Sequence, residues 1–154
     1  MGWRKAWNWC SGYISNGLSA MGGGDWPSLP QSIGRRGERL AIRHLKSLGY
    51  TIIAWSDRGR LGEIDIVAVD GSTVVFVEVK TRRNAAKGNP ADAVDNKKEQ
   101  QLTRVGYAFL HSHNLLECAA RFDVIAIIWP AGKLPQLRHY KNAFDAVGKG
   151  YVFY

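Results

Sequence analysis

A chain of 154 residues, 45% of them hydrophobic, can fill one domain-sized core, and dividing it would leave neither half enough to bury. The formal charge of +8 and a pI near 9.7 point to a polyanionic partner, nucleic acid before a membrane surface, because clustered Lys and Arg release counterions from phosphates. No run approaches the ~20 apolar residues of a membrane-spanning helix. Cys10 and Cys118 lie outside any zinc or disulfide spacing, so the expectation is a cytoplasmic protein with no membrane partner.

Residues 1–30 hold four of the six Trp and end in Met21-Gly-Gly-Gly-Asp-Trp-Pro27. They read as a flexible Trp/Gly-rich N-terminal extension, the alternative being a docking segment for a protein partner. Asn8, Ser11, Ser15 and Asn16 interrupt the stretch where a secretion signal needs an unbroken apolar run. The domain is assigned to residues 31–154.

From Gln31 the pattern becomes regular. Ser32 caps a predicted helix running to about Leu48, stopped by Gly49, with Ile33, Leu40, Ala41, Leu45 and Leu48 as its apolar stripe. Tyr50 to Trp55 reads as a strand and Asp57 to Leu61 as a basic turn. Gly62 to Val69 and Thr73 to Thr81 form a hairpin around Asp70-Gly71, two residues that tolerate positive φ. Pro90 opens a second helix, Ala91 to His111, with Val94, Lys98, Leu102, Val105 and Phe109 on one face. Arg121 to Trp129 is a β-branched strand and Gln136 to Lys141 an edge strand. Helix, three strands, helix and two strands imply a three-layer α/β domain with a mixed central sheet flanked by helices.

Alternation along the hairpin puts Ile64, Ile66, Ala68, Val75, Val77 and Val79 on one apolar side. The other side carries Glu63, Asp65, Glu78 and Lys80. A turn at Asp70-Gly71 would set Glu63 against Glu78, with Asp65 diagonal to Glu78. Such a group is either a solvated rim in which Lys80 pairs with Glu78 or Glu63, or a site completed by a divalent cation. Three carboxylates repel one another and one lysine cannot neutralise them. Oxygen-only ligands on a rigid strand pair suit Mg²⁺ or Mn²⁺. Glu38, between Ile42 and Leu45 on the helical wheel, points a further carboxylate toward the sheet, unless it pairs instead with Arg35 or Arg39.

Here the residues match a family. Gly62-Glu-Ile-Asp-Ile-Val-Ala68 followed by Val77-Glu-Val-Lys-Thr-Arg82 resembles the core of the PD-(D/E)XK nucleases. With Gly37-Glu38 ahead, and Arg121-Phe-Asp-Val-Ile125 and Asn142-Ala-Phe144 behind, the chain is similar to the YraN family of bacterial proteins over roughly residues 31–147. The resemblance implies a restriction-endonuclease-like fold similar to that of archaeal Holliday junction resolvases. It implies Asp65 and Glu78 as ligands of Mg²⁺ or Mn²⁺, Glu38 as a further acidic ligand, and Lys80 beside the attacking water. Lys98 matches a lysine that recurs in the family's second helix. Members often carry Asn in the turn before the Gly-Glu-Ile-Asp strand; this chain has Trp55-Ser56-Asp57 there, so that position receives no role.

The expected function is that of a metal-dependent endonuclease, with branched or flapped DNA implied by the resemblance. Its alternatives are a non-cleaving nucleic-acid-binding module that works through a partner protein, and an RNA-processing nuclease; a homodimer stays open. Arg82 and Arg83 are the first candidates for phosphate contact, with Arg58, Arg60 and Lys98 behind them. His44, His111, His113 and His139 fall on helix or rim positions and read as surface histidines.

Overall fold

Ser32 caps helix α1 (Ile33–Ser47), its hydroxyl accepting the Arg35 N–H at 3.3 Å. At the far end Gly49 takes φ 88°, while the N–H groups of Gly49 and Tyr50 reach the carbonyls of Lys46 and Leu45 at 3.0 and 3.1 Å. These paired bonds form a Schellman stop. Leu48, expected on the buried stripe, forms the C-cap and is 50% exposed. The computed structural model describes residues 32–59, 61–84, 94–148, 150 and 151. The extension 1–30, Arg60 and residues 90–93, where the second helix was expected to open, lie outside the described residues, as do the side chains of Asp57 and Arg58.

Strands β1 (Thr51–Gly59), β2 (Gly62–Asp70) and β3 (Thr73–Arg82) form an antiparallel meander. Helix α2 (Asn96–Ser112) then carries the chain across the sheet to β4 (Ala120–Ile128), parallel to β3, and β5 (Gln136–Phe144) returns antiparallel. The five-stranded sheet runs β1-β2-β3-β4-β5. Helix α2 starts at Asn96, later than predicted, because Asp95 caps it by accepting the Lys98 N–H at 2.9 Å.

Alternating side chains fill two cores. Ile66, Ala68, Val75, Val77, Ile125 and Ile127 pack under Ala41 and Leu45 of α1. Val67, Val69, Val74, Phe76 and Phe122 face Leu102, Val105, Phe109 and Leu110 of α2. Helix, mixed sheet and helix make the three layers expected of a restriction-endonuclease-like domain.

The hairpin register differs from the predicted one. Asp70 pairs with Thr73 across a Gly71-Ser72 turn, with Gly71 at φ 61°, and the β2–β3 ladder ends at Ile66–Val77. Ile64, expected on the same apolar side as Ile66 and Ala68, belongs instead to the α2-side core, where β2 has parted from β3.

Candidate active site

The parting of β2 from β3 builds the site. Beyond Val77 the next available β3 donor, the Val79 N–H, goes not to a β2 carbonyl but to Asp65 Oδ2, at 2.7 Å. Asp65 therefore stands close to Glu78, nearer than the diagonal expected from an Asp70-Gly71 turn. Glu78 is only 2% exposed. One of its oxygens ion-pairs with Lys80, and the other lies 3.1 Å from Lys98 Nζ of α2. That second contact lacks hydrogen-bond direction, so the buried Oε2 keeps a charge partner but no hydrogen bond.

Burial first, and then the adjacent Glu78, push the Asp65 carboxyl up to about 7, against the Val79 N–H and Lys98, which favour the anion. Glu38 also raises it, which places the two acids within electrostatic reach. Glu38 comes from α1, and its Oε2 accepts the Trp55 indole N–H at 3.0 Å and the Ser56 hydroxyl at 3.1 Å. Neither Arg35 nor Arg39 is needed to hold it. Helix α1 can lie this close to β3 because residue 37 is glycine: a Cβ there would collide with Thr81.

Sequence reasoning brought together Glu38, Asp65, Glu78 and Lys80, and the structure draws all four into one region. It places Lys98 inside the acidic cluster, on Glu78, rather than on the surface around it. Arg82 is half-buried at the end of β3 and Arg83 is exposed just beyond, while Glu63 is half-buried on β2. Trp55 and Ser56 were missed. A Trp in an apolar strand reads as core, and neighbouring strand residues are not expected to share a target. The histidine reading is corrected: the His139 side chain is 7% exposed and bonds Asp123 at 2.9 Å, and His44 lies in ring contact with it at 5.5 Å.

With all of them ionised, three carboxylates against two ammonium groups would leave one negative charge in excess, and the raised Asp65 carboxyl reflects that crowding. Among the described residues no three His, Cys, Asp or Glu side chains converge as a metal-ligating group. Asp65 and Glu78 remain as a pair. Their donor chemistry fits a hard divalent ion: Glu78 Oε2 is buried without a hydrogen bond, and Asp65 ionises with difficulty beside it. Mg²⁺ is commonly held by one or two carboxylates plus waters and phosphate oxygens.

Architecture and site together define a restriction-endonuclease-like domain with a carboxylate and lysine cluster at the open end of its hairpin. The chain belongs to the uncharacterised protein family UPF0102, which matches residues 37–127 and is the YraN family of the sequence resemblance. It is similar to a UPF0102 protein of Geotalea daltonii, 44% identical over 115 residues that cover 75% of this chain and 91% of the relative. A Geobacter sulfurreducens relative is 48% identical over 113 residues, 73% of this chain and 88% of its own length. One from Alkaliphilus oremlandii is 44% identical over 118 residues, 75% of this chain and all of the relative. Among the described residues no helix is long and apolar enough to cross a membrane.

Proposed function

We propose that this chain is a divalent-metal-dependent endonuclease that hydrolyses phosphodiester bonds in structured or branched DNA. The observation that carries the reading is the pair of half-buried Asp65 and buried Glu78 at the parted end of β2 and β3, with Lys80 and Lys98 against Glu78. Asp65 and Glu78 would hold Mg²⁺ or Mn²⁺, with Glu38 alongside. Such an ion lowers the pKa of a bound water and neutralises charge developing on the phosphate.

The chain's own residues then have separable tasks. The Val79 N–H fixes one Asp65 oxygen, so the carboxylate is oriented before any substrate arrives. Lys80, 30% exposed, can orient a water or stabilise a phosphate oxygen, whereas Lys98 is the more enclosed cation at 23%. Glu78 is touched by both lysines and holds them at the cluster. The net positive charge and the Arg82-Arg83 pair beside the cluster support a nucleic-acid substrate. The branched shape is carried by the resemblance alone.

The test is cleavage of single-stranded, duplex and junction DNA, with RNA counterparts, by the full chain with and without Mn²⁺. Cleavage that needs the metal and is lost in Asp65→Ala supports the reading; equal background from wild type and variant on every substrate sinks it. A second reading has its own observation. Both Glu78 oxygens face lysines, as in a closed ionic cluster, which suits a non-cleaving nucleic-acid-binding module acting through a partner protein. Calorimetry separates the two: Mn²⁺ binding abolished by Glu78→Ala belongs to the endonuclease, and no Mn²⁺ binding belongs to the module.

A further inference from the structure

Consecutive residues of a regular strand point to opposite faces of the sheet. Trp55 and Ser56 of β1 do not, since the indole N–H of one and the hydroxyl of the other both donate to Glu38 Oε2. The backbone accounts for the convergence. Ser56 stands at φ 50°, in the left-handed region that side chains other than Asn and Asp rarely enter. This single residue breaks the pleat between two ordinary β1–β2 pairs, Trp55–Ile66 and Asp57–Ile64, an alignment that sets Ser56 against Asp65. A bend in a paired strand therefore faces one acid of the site while its side chains hold another. Neither a glycine nor a turn accounts for it: β1 continues as strand on both sides. Backbone outliers of this kind persist only where the surroundings enforce them, and they cluster at functional sites.

We propose that Trp55 and Ser56 are positioning residues for hydrolysis, carried on a strained bend of β1 that holds the Glu38 carboxylate at the Asp65–Glu78 pair. The role rests on the endonuclease reading above. Its rival is a fastening role, in which the same two bonds only clip α1 to the sheet.

Ser56→Gly distinguishes them, because glycine enters positive φ freely and so relieves the bend while deleting the hydroxyl. With a fastening role, stability and activity move together. With a positioning role they separate: Tm holds or rises, while kcat on the cleaved DNA falls about 10- to 100-fold, the usual penalty for losing a partner that orients a metal-site ligand. KM changes by about twofold or less, since the deleted interaction acts on the chemical step. Trp55→Phe keeps the ring and removes the N–H, and it should lower kcat in the same way. Glu38→Gln supplies the decisive arm. If both residues act through that carboxylate, adding Ser56→Gly to Glu38→Gln costs nothing more.

The measurements are Mn²⁺-dependent cleavage kinetics on junction DNA, thermal melting, and Mn²⁺ calorimetry on the full chain and each variant. Full-rate cleavage by Ser56→Gly and Trp55→Phe, or a multiplied loss in the double variant, overturns the positioning role while leaving the endonuclease standing. A wild-type chain that neither binds Mn²⁺ nor cleaves overturns the endonuclease, and the positioning role with it.

Discussion

Gly37 sets how far Glu38 can reach. A Cβ built there falls inside contact distance of Thr81 Oγ1 and lies 3.0 Å from Thr81 Cβ. In an exposed helix Gly→Ala would add about 1 kcal/mol from helix propensity. Here the overpacking penalty of about 1–3 kcal/mol opposes it, and the neighbour is a β-branched side chain on a central strand with little room to yield. Gly37→Ala is therefore expected to lower the urea midpoint and to cut cleavage, because α1 must lift and carry Glu38 with it. A raised midpoint would mean that the helix is not pressed onto β3. Lys80 makes the complementary case: under the proposed function Lys80→Ala should reduce cleavage by about a hundredfold or more while Mn²⁺ binding stays near wild type, because the lysine would act beside the ion rather than on it. Wild-type turnover in that variant would remove Lys80 from the chemistry.

At the scale of elements, a second polar group joins β4 and β5 to the rest of the fold. Asp123, fully buried, accepts from Arg121 Nε at 3.0 Å, His139 Nε2 at 2.9 Å and the Asn142 N–H at 2.9 Å. Arg121 continues to the Tyr50 hydroxyl and Asp70, tying the α1–β1 connection and the β2–β3 turn into the same network. Burial raises the Asp123 carboxyl, but His139, Arg121 and the Asn142 N–H outweigh it and hold the group below the ordinary carboxylate range. Its stabilisation is thus complete above about pH 4 and disappears as pH falls through the depressed folded value. His44 is also held below its ordinary 6.5, by burial and by His139. A lowered histidine pKa carries the same sign, so stability should start to fall as pH drops below 6.5 and fall again in the carboxylate range. His44→Gln should flatten the first step in urea melts taken across pH, and Asp123→Asn the second, the latter at a cost of about 1–3 kcal/mol because the half-buried Arg121 loses its anionic partner on β4. A pH profile identical in both variants would place the linkage elsewhere. The sequence carried part of this scale. Capping signals and period-2 alternation are local, so α1, the hairpin and β4 were legible to within a residue or two. The turn register, the left-handed Ser56 and the burial of His139 were not, because each is decided by contacts between elements distant in the chain.

For the whole molecule, an acidic cluster sits inside a chain of net charge +8, and the balance must be met by positive surface. Part of that surface lies against local preference. The first turn of α1 carries Arg35 and Arg36 and no acid, although the positive end of a helix dipole disfavours cations by about 0.3–1 kcal/mol each. Arg36 is placed over the Trp129 ring at 4.2 Å, just past the end of β4. Arg82 closes β3 on the same face as Glu78 and Lys80, and Arg83 follows it into solvent. Positive charge thus gathers around the end of the sheet where the carboxylates lie, as a surface that tracks phosphates would require. For every duplex phosphate that a variant no longer neutralises, the log–log salt dependence of binding should flatten by about 0.9. In an Asp65→Ala background, where cleavage cannot interfere, replacing Arg82 and Arg83 together by Ala should lower the slope by between about one and two units. The weakening should be alike for unrelated DNA sequences, since phosphates carry no sequence information. An unchanged slope would show that these arginines lie outside the path of the backbone, whereas weakening confined to one sequence would assign them to base recognition.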